Sequence, residues 1–191
     1  ILELFFPFLE IFLKTFGRRV EILDKDGVYF FFLIMKEYHI SRKFKIDWQK
    51  KILNWYSINK RQLPWREKKY QNFYNIWISE IMLQQTSVKT VIPYYEKFMK
   101  KWPSLQSFSS ATLDEILIVW QGLGYYQRAK NLYLAKEELK KKDCIQINIQ
   151  NLKELPGVGD YVASAICAIL KDDSCVVVDG NIKRIISRAF N

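Results

Sequence analysis

From Asp47 onward, apolar residues fall at helical spacing. Trp48, Ile52, Trp55 and Tyr56 recur every three or four positions, the stripe of an amphipathic helix. The next pattern predicts a helix from about Tyr74 to Thr90. Trp77, Ile78, Ile81, Met82 and Val88 form its core face, and Pro93 limits its extension. Ala111 to Trp120 gives another helix, in which Thr112 is a candidate N-cap and Glu115 its capping-box partner. Gly122 and Gly124 end it, and a basic helix follows from Gln127 to Lys142. Val162 to Leu170 reads as a tightly packed, alanine-rich helix. Only Ser174 to Val178 looks strand-like, too little to make a sheet. No internal repeat is visible. The pattern predicts an all-α domain.

The first 46 residues are of a different kind, crowded with Phe, Leu and Ile. Their longest uncharged run, Gly27 to Met35, is nine residues, about half of what a membrane span requires. Glu3 and Glu10 bracket the first apolar patch, which argues against a secretory signal. The chain opens on Ile, and Met35 precedes a lysine-rich stretch. Residues 1–46 therefore read as an atypical extension, or as an upstream reading frame with translation starting at Met35.

Charge narrows the partner. The 191 residues hold 30 Lys and Arg against 20 Asp and Glu, a net +10, of which +8 lies from Asp47 onward. That balance suggests a polyanion, nucleic acid before membrane. A single histidine, His39, nearly excludes Ser-His-Asp and Cys-His catalysis and any zinc site built on two histidines. Cys144, Cys167 and Cys175 show no Cys-x-x-Cys spacing, and a closed metal site would lack its fourth ligand. Each reads as a small buried hydrophobe in a reducing cytoplasm.

Three segments carry candidate chemistry. Leu155-Pro156-Gly157-Val158-Gly159 lies between two helical stretches, the second beginning near Asp160 or Tyr161. Its glycines permit positive φ and close approach of a ligand, and the unpaired N–H groups of the next helix suit a phosphate. A lone Gly-x-Gly is more often a plain turn; in a basic, all-helical chain it reads as a DNA-backbone clamp of the helix-hairpin-helix kind. In Ser79 to Thr86, Glu80 and Gln84 share one helical face while Trp77, Ile81 and Met82 lie elsewhere. An acid in such a helix is commonly a solvated face; in an apolar cleft its raised pKa would keep it a proton donor near neutrality. Asp179 ends an apolar run and opens a helix, where it is either simply an N-cap or an ionised carboxylate with work to do. Together Glu80 and Asp179 could supply one protonated and one ionised carboxyl, the pairing that cleaves bonds to an anomeric carbon.

With these blocks in order, residues 47–191 resemble the catalytic domain of an adenine DNA glycosylase of the MutY type, in the helix-hairpin-helix glycosylase superfamily. The matching blocks are Leu63-Pro64-Trp65-Arg66, Trp77 to Thr86, Gly122-Leu123-Gly124-Tyr125-Tyr126-Gln127-Arg128-Ala129, Leu155 to Gly159, and Asp179-Gly180-Asn181-Ile182-Lys183-Arg184. The resemblance implies a six-helix barrel, a second helical lobe with an iron–sulfur cluster, and a cleft that takes a flipped-out adenine from double-stranded DNA. It implies that Glu80 protonates N7 of adenine and that Asp179 stabilises the oxocarbenium-like sugar. Tyr161 and Asn181 would orient these carboxyls, and Leu63, Trp65 and Arg66 would line the base pocket. Gln84, Gln85, Thr86 and Tyr125 would contact or wedge the duplex. Gly157, Val158, Gly159, Lys183 and Arg184 would hold its backbone. A monomeric enzyme of the bacterial cytoplasm, associated with the nucleoid and not with membrane, is expected.

Two features qualify this picture. Lyases resembling endonuclease III carry a lysine two residues after the hairpin's last glycine; Tyr161 stands there, favouring a monofunctional hydrolase. The family's four cluster-binding cysteines, and its domain for sensing 8-oxoguanine, lie downstream of the aspartate block, beyond Asn191. No metal ligand is therefore expected in this chain, which reads as a partial gene with an incomplete second lobe, and whether it acts alone is in question. A glycosylase/lyase of the endonuclease III kind and a non-catalytic helix-hairpin-helix DNA-binding module remain the alternatives.

Overall fold

The computed structural model describes residues 42–142, 145–171 and 177–190. The expectations for residues 1–41, for Cys144 and Cys175, and for most of the strand-like run lie outside these. Among the described residues the regular structure is entirely helical. It comprises α1 (Arg42–Asn59), two short 3-10 turns (Pro64–Arg66 and Lys68–Tyr70), α2 (Phe73–Leu83), α3 (Val88–Lys101), α4 (Leu105–Ser109), α5 (Leu113–Trp120), α6 (Gln127–Lys140), α7 (Ile149–Lys153), α8 (Asp160–Lys171) and α9 (Gly180–Phe190). None of these helices is long and apolar enough to cross a membrane. The described residues divide into two compact units, one within residues 62–171 and the other formed by residues 42–61 with 177–190.

The larger unit is built around α2. Every residue from Tyr74 to Leu83 is buried, because α2 packs against α3, α6 and α8. A helix enclosed in this way is apolar nearly all round. Its start is fixed by Asn72, whose side chain accepts from the N–H of Asn75 at 3.0 Å. An aromatic cluster covers the first turns. Phe73 stacks on Trp77 at 5.6 Å, and Phe108 meets Trp77, Phe98 and Trp102 at centroid distances of 5.2–6.3 Å. The Tyr74 hydroxyl is not wasted in this core, since it donates to the Trp102 carbonyl at 2.8 Å.

The single helix predicted over residues 74–90 is two helices. α2 ends at Leu83, and Gln85 takes a left-handed φ of 55°. Ser87 then caps α3 by accepting from the N–H of Thr90 at 3.3 Å, a local alternative that apolar periodicity does not register. Pro93 does not stop α3 but sits inside it. Its fixed φ is already helical, and only one backbone donor is lost. The Thr112–Glu115 capping box of α5 forms as expected, with bonds of 2.9 and 3.3 Å. Lys136 of α6 is buried, and donates to the Ala111 carbonyl at 2.5 Å, tying α6 to the start of α5.

In the smaller unit, Trp48, Ile52 and Tyr56 of α1 are half-buried, while Trp55 is 45% exposed. The stripe is thus less complete than its spacing suggests.

The fold rests on where α2 begins. Asn72→Ala should lower the stability of the chain by about 1 kcal/mol, the usual worth of an N-cap, read from its urea midpoint; an unchanged midpoint would show that packing alone fixes that end.

Candidate active site

Glu80 lies in the second half of α2 and is only 6% exposed. The solvated-face reading of this acid is therefore excluded. Burial pushes its carboxyl up to about 7, and the Arg66 guanidinium nearby only partly opposes this. Its Oε2 has no hydrogen-bond partner. A neutral acid with an open oxygen can give its proton to something that enters.

The elements around it come from the first 3-10 turn. Leu63 and Trp65 are buried and Arg66 is half-buried. Pro64 opens the turn, and the Arg66 N–H closes it on the Leu63 carbonyl at 2.9 Å. This turn packs on α2, which brings Arg66 to Glu80. Trp65 meets the Tyr95 ring edge-on at 5.1 Å. Tyr95 is 3% exposed and its hydroxyl has no partner. Sequence reasoning missed Tyr95, since its position in α3 signals nothing beyond core packing.

A second group of predicted residues gathers at the end of α2. Gln84 Nε2 donates to the Gly157 carbonyl at 3.4 Å, joining segments 73 residues apart. Gln85 is exposed, Thr86 is half-buried, and Tyr125 is 59% exposed with a φ of 49°. Arg128 holds these segments together. It donates to the carbonyls of Ile81, Met82, Gln84 and Gly124 and to Thr86 Oγ1, at 2.5–3.2 Å. No role was expected of it, although a lone arginine just after the Gly-Leu-Gly turn was the available signal.

The hairpin joins α7 to α8. Gly157 has a φ of +81°, and a Cβ there would lie 2.8 Å from the Asn131 Cβ. Glycine is required on both counts. Val158 is buried and its N–H closes on the Leu155 carbonyl at 3.0 Å. Gly159 differs: nothing lies within 4 Å of a Cβ built on it, so its freedom is open space and not internal packing. α8 begins at Asp160, which pairs with Lys153. Tyr161, half-buried, is its second residue.

The smaller unit carries the other carboxylate. Asp179 precedes α9; its Oδ1 accepts from the N–H of Ile182 at 2.7 Å and its Oδ2 from Asn181 Nδ2 at 3.1 Å. The Asn181 Oδ1 in turn accepts from Arg184 Nη2 at 3.5 Å. Lys183 and Arg184 are exposed. Asp179 is thus an N-cap, and Asn181 sets the orientation of its second oxygen.

Among the described residues no group of three or more His, Cys, Asp or Glu side chains is placed to hold a metal. Cys167 is buried within α8. These residues do not fit an iron–sulfur cluster.

A helical hairpin beside an enclosed acid defines the class as a helix-hairpin-helix glycosylase fold. Residues 78–191 match the family described as HhH-GPD superfamily base excision DNA repair protein. The chain belongs to that family. It is 46% identical over 144 residues to the adenine DNA glycosylase of Buchnera aphidicola from Schizaphis graminum, covering 73% of this chain and 40% of that protein. With the human adenine DNA glycosylase it shares 41% over 146 residues, covering 72% and 27%. The chain thus spans less than half the length of these relatives. Its fold is similar to that of a thermostable thymine-DNA glycosylase, with a TM-score of 0.65 and 27% identity over 72% of this chain and 64% of the other. An endonuclease III–DNA complex gives 0.62 at 17% identity, covering 76% and 68%, a likeness of fold.

The raised Glu80 value has a signature in stability. A folded value of about 7 against an ordinary 4.5 means that the folded chain holds this proton more tightly than the unfolded one. Stability is then full below about 4.5 and falls as pH rises through 7. Glu80→Gln removes that loss. Its stability advantage over the parent should grow between pH 5 and 8 by up to about 3 kcal/mol, at 1.36 kcal/mol per unit. Denaturant titrations across that range test it, and a difference independent of pH would contradict it.

Proposed function

We propose that this chain carries the base-excising part of a monofunctional adenine DNA glycosylase. The bond broken is the N-glycosidic bond of adenine mispaired with 8-oxoguanine or guanine in double-stranded DNA. The observation that carries this reading is the enclosed Glu80 carboxyl, neutral up to about pH 7 with one oxygen unpartnered. Adenine leaves poorly as an anion. Protonation at N7 by Glu80 lets it depart neutral while the bond to C1′ breaks and the sugar takes up positive charge. Asp179 balances that charge electrostatically or through a transient bond to C1′, and water supplies the hydroxyl of the abasic product. Asn181 and Tyr161 orient the two carboxyls, and Leu63, Trp65 and Arg66 line the base pocket.

DNA is held from the outside. Around Val158, whose own N–H is taken by the Leu155 carbonyl, the hairpin glycines Gly157 and Gly159 offer backbone N–H groups to phosphate, and Lys183 and Arg184 add charge to a chain of net +10. Gln84, Gln85, Thr86 and Tyr125 occupy the gap that a flipped adenine leaves. The enzyme works as a monomer on the chromosome in the bacterial cytoplasm. Tyr161 in place of a lysine supports hydrolysis without strand cleavage.

Two variants test this. Glu80→Gln should bind a mispaired duplex normally and release adenine about 10²–10⁴-fold more slowly in single turnover; near-parental release would remove Glu80 from the mechanism. Tyr161→Lys should increase borohydride trapping on DNA, because it places an amine where the lyases have theirs. Unchanged trapping by a folded, DNA-binding variant would mean that the hairpin register is wrong.

A further inference from the structure

Among the described residues, Gln85 and Tyr125 are the two that adopt left-handed backbone without being glycine, with φ of 55° and 49°. Both are exposed. Left-handed geometry is unfavourable for such residues and persists only where the surroundings enforce it. The two tips are 40 residues apart in sequence, yet the same side chain pins both.

That side chain is Arg128, 8% exposed. Its Nη1 donates to the carbonyls of Ile81, Met82 and Gln84, at 3.0, 2.7 and 2.5 Å. These lie at the end of α2, where backbone acceptors have no partner within the helix. Its Nη2 donates to Thr86 Oγ1 at 3.0 Å and to the Gly124 carbonyl at 3.2 Å. Gln85 is therefore held from the residue on either side. Tyr125 is held from Gly124 and, on its own carbonyl, by the Arg128 N–H at 2.9 Å. The guanidinium carbon also sits 5.3 Å from the Tyr125 ring centroid.

We propose that Arg128 is a positioning residue that locks the Gln85 and Tyr125 loops into one rigid wedge, so that both tips enter the duplex together when adenine is extruded. This rests on the reading that these tips insert into DNA. A planar, two-ended donor is needed because Nη1 serves the helix end and first loop while Nη2 bridges to the second loop. An ammonium is a single point of charge and cannot span them. Phosphate attraction does not depend on this lock, since Arg128 is buried beneath the surface.

The test uses the full chain with a duplex in which 2-aminopurine, fluorescent when unstacked, replaces the target adenine. Duplex affinity is followed by anisotropy, and thermal unfolding is followed separately. The parent should bind with a rise in 2-aminopurine fluorescence at saturation, and Glu80→Gln should keep that rise because it affects only the chemistry. Arg128→Lys should bind within about threefold of the parent but lose most of the rise, because unstacking the base is the costly step. Thr86→Val, which removes one acceptor of the bridge, should lose part of it and carries the test if Arg128→Lys fails to fold. A full rise in either folded variant overturns the proposal. No rise in the parent overturns it together with the insertion reading. A rise in the parent without adenine release would count against the proposed chemistry and leave the wedge standing.

Discussion

A helix buried on every side has no water to complete its backbone or to solvate its acid. α2 is in that position from Tyr74 to Leu83, and much of the larger unit answers it. At its first end Asn72 supplies the cap. At its last end the free carbonyls are met by the guanidinium of Arg128, itself buried. Between them Glu80 meets a cost that no carboxylate tolerates well in an apolar setting, and the proton stays on up to about pH 7. The same enclosure that makes α2 a core element thus makes Glu80 an acid.

The enclosure also explains why the strained positions lie at the end of α2. Arg128 has to face the helix terminus from α6, and its second nitrogen then falls on the loops at Thr86 and Gly124. Strain at Gln85 and Tyr125 is sustained because those loops are fixed from the buried side. Gly157 is fixed similarly, by Asn131 beneath it and by Gln84 on its carbonyl. Three segments far apart in sequence therefore meet at one face, each with a rigid attachment to the core.

Much of this was legible in the sequence. α5, α6, the core of α8 and the Thr112 cap follow from spacing and residue type, and the five ordered blocks carry the resemblance to a known glycosylase domain. The five-residue helices α4 and α7 are too short to show a helical period, and the sequence pattern did not mark them. The break between α2 and α3 was not legible from periodicity, because Val88 continues the apolar pattern of α2 across the gap. Only the cap at Ser87 and the tertiary hold of Arg128 on residues 84–86 show why the chain turns there. The state of Glu80 was likewise undecidable locally, since its burial comes from the elements packed on α2, the Pro64–Arg66 turn among them, and not from its neighbours in sequence. Tyr95 had no local signal at all; its orphaned hydroxyl is visible only once Trp65 is seen against it.

The central claim is that Glu80 remains protonated near neutrality because it is enclosed. Infrared difference titration of the parent chain against Glu80→Gln measures this directly, through the protonated carboxyl band that the variant lacks. The account predicts that this band persists through mildly acidic pH and disappears with a midpoint of about 7. A midpoint near the ordinary 4.5 would contradict it, and would leave the proposed acid without its proton at the pH where it has to act.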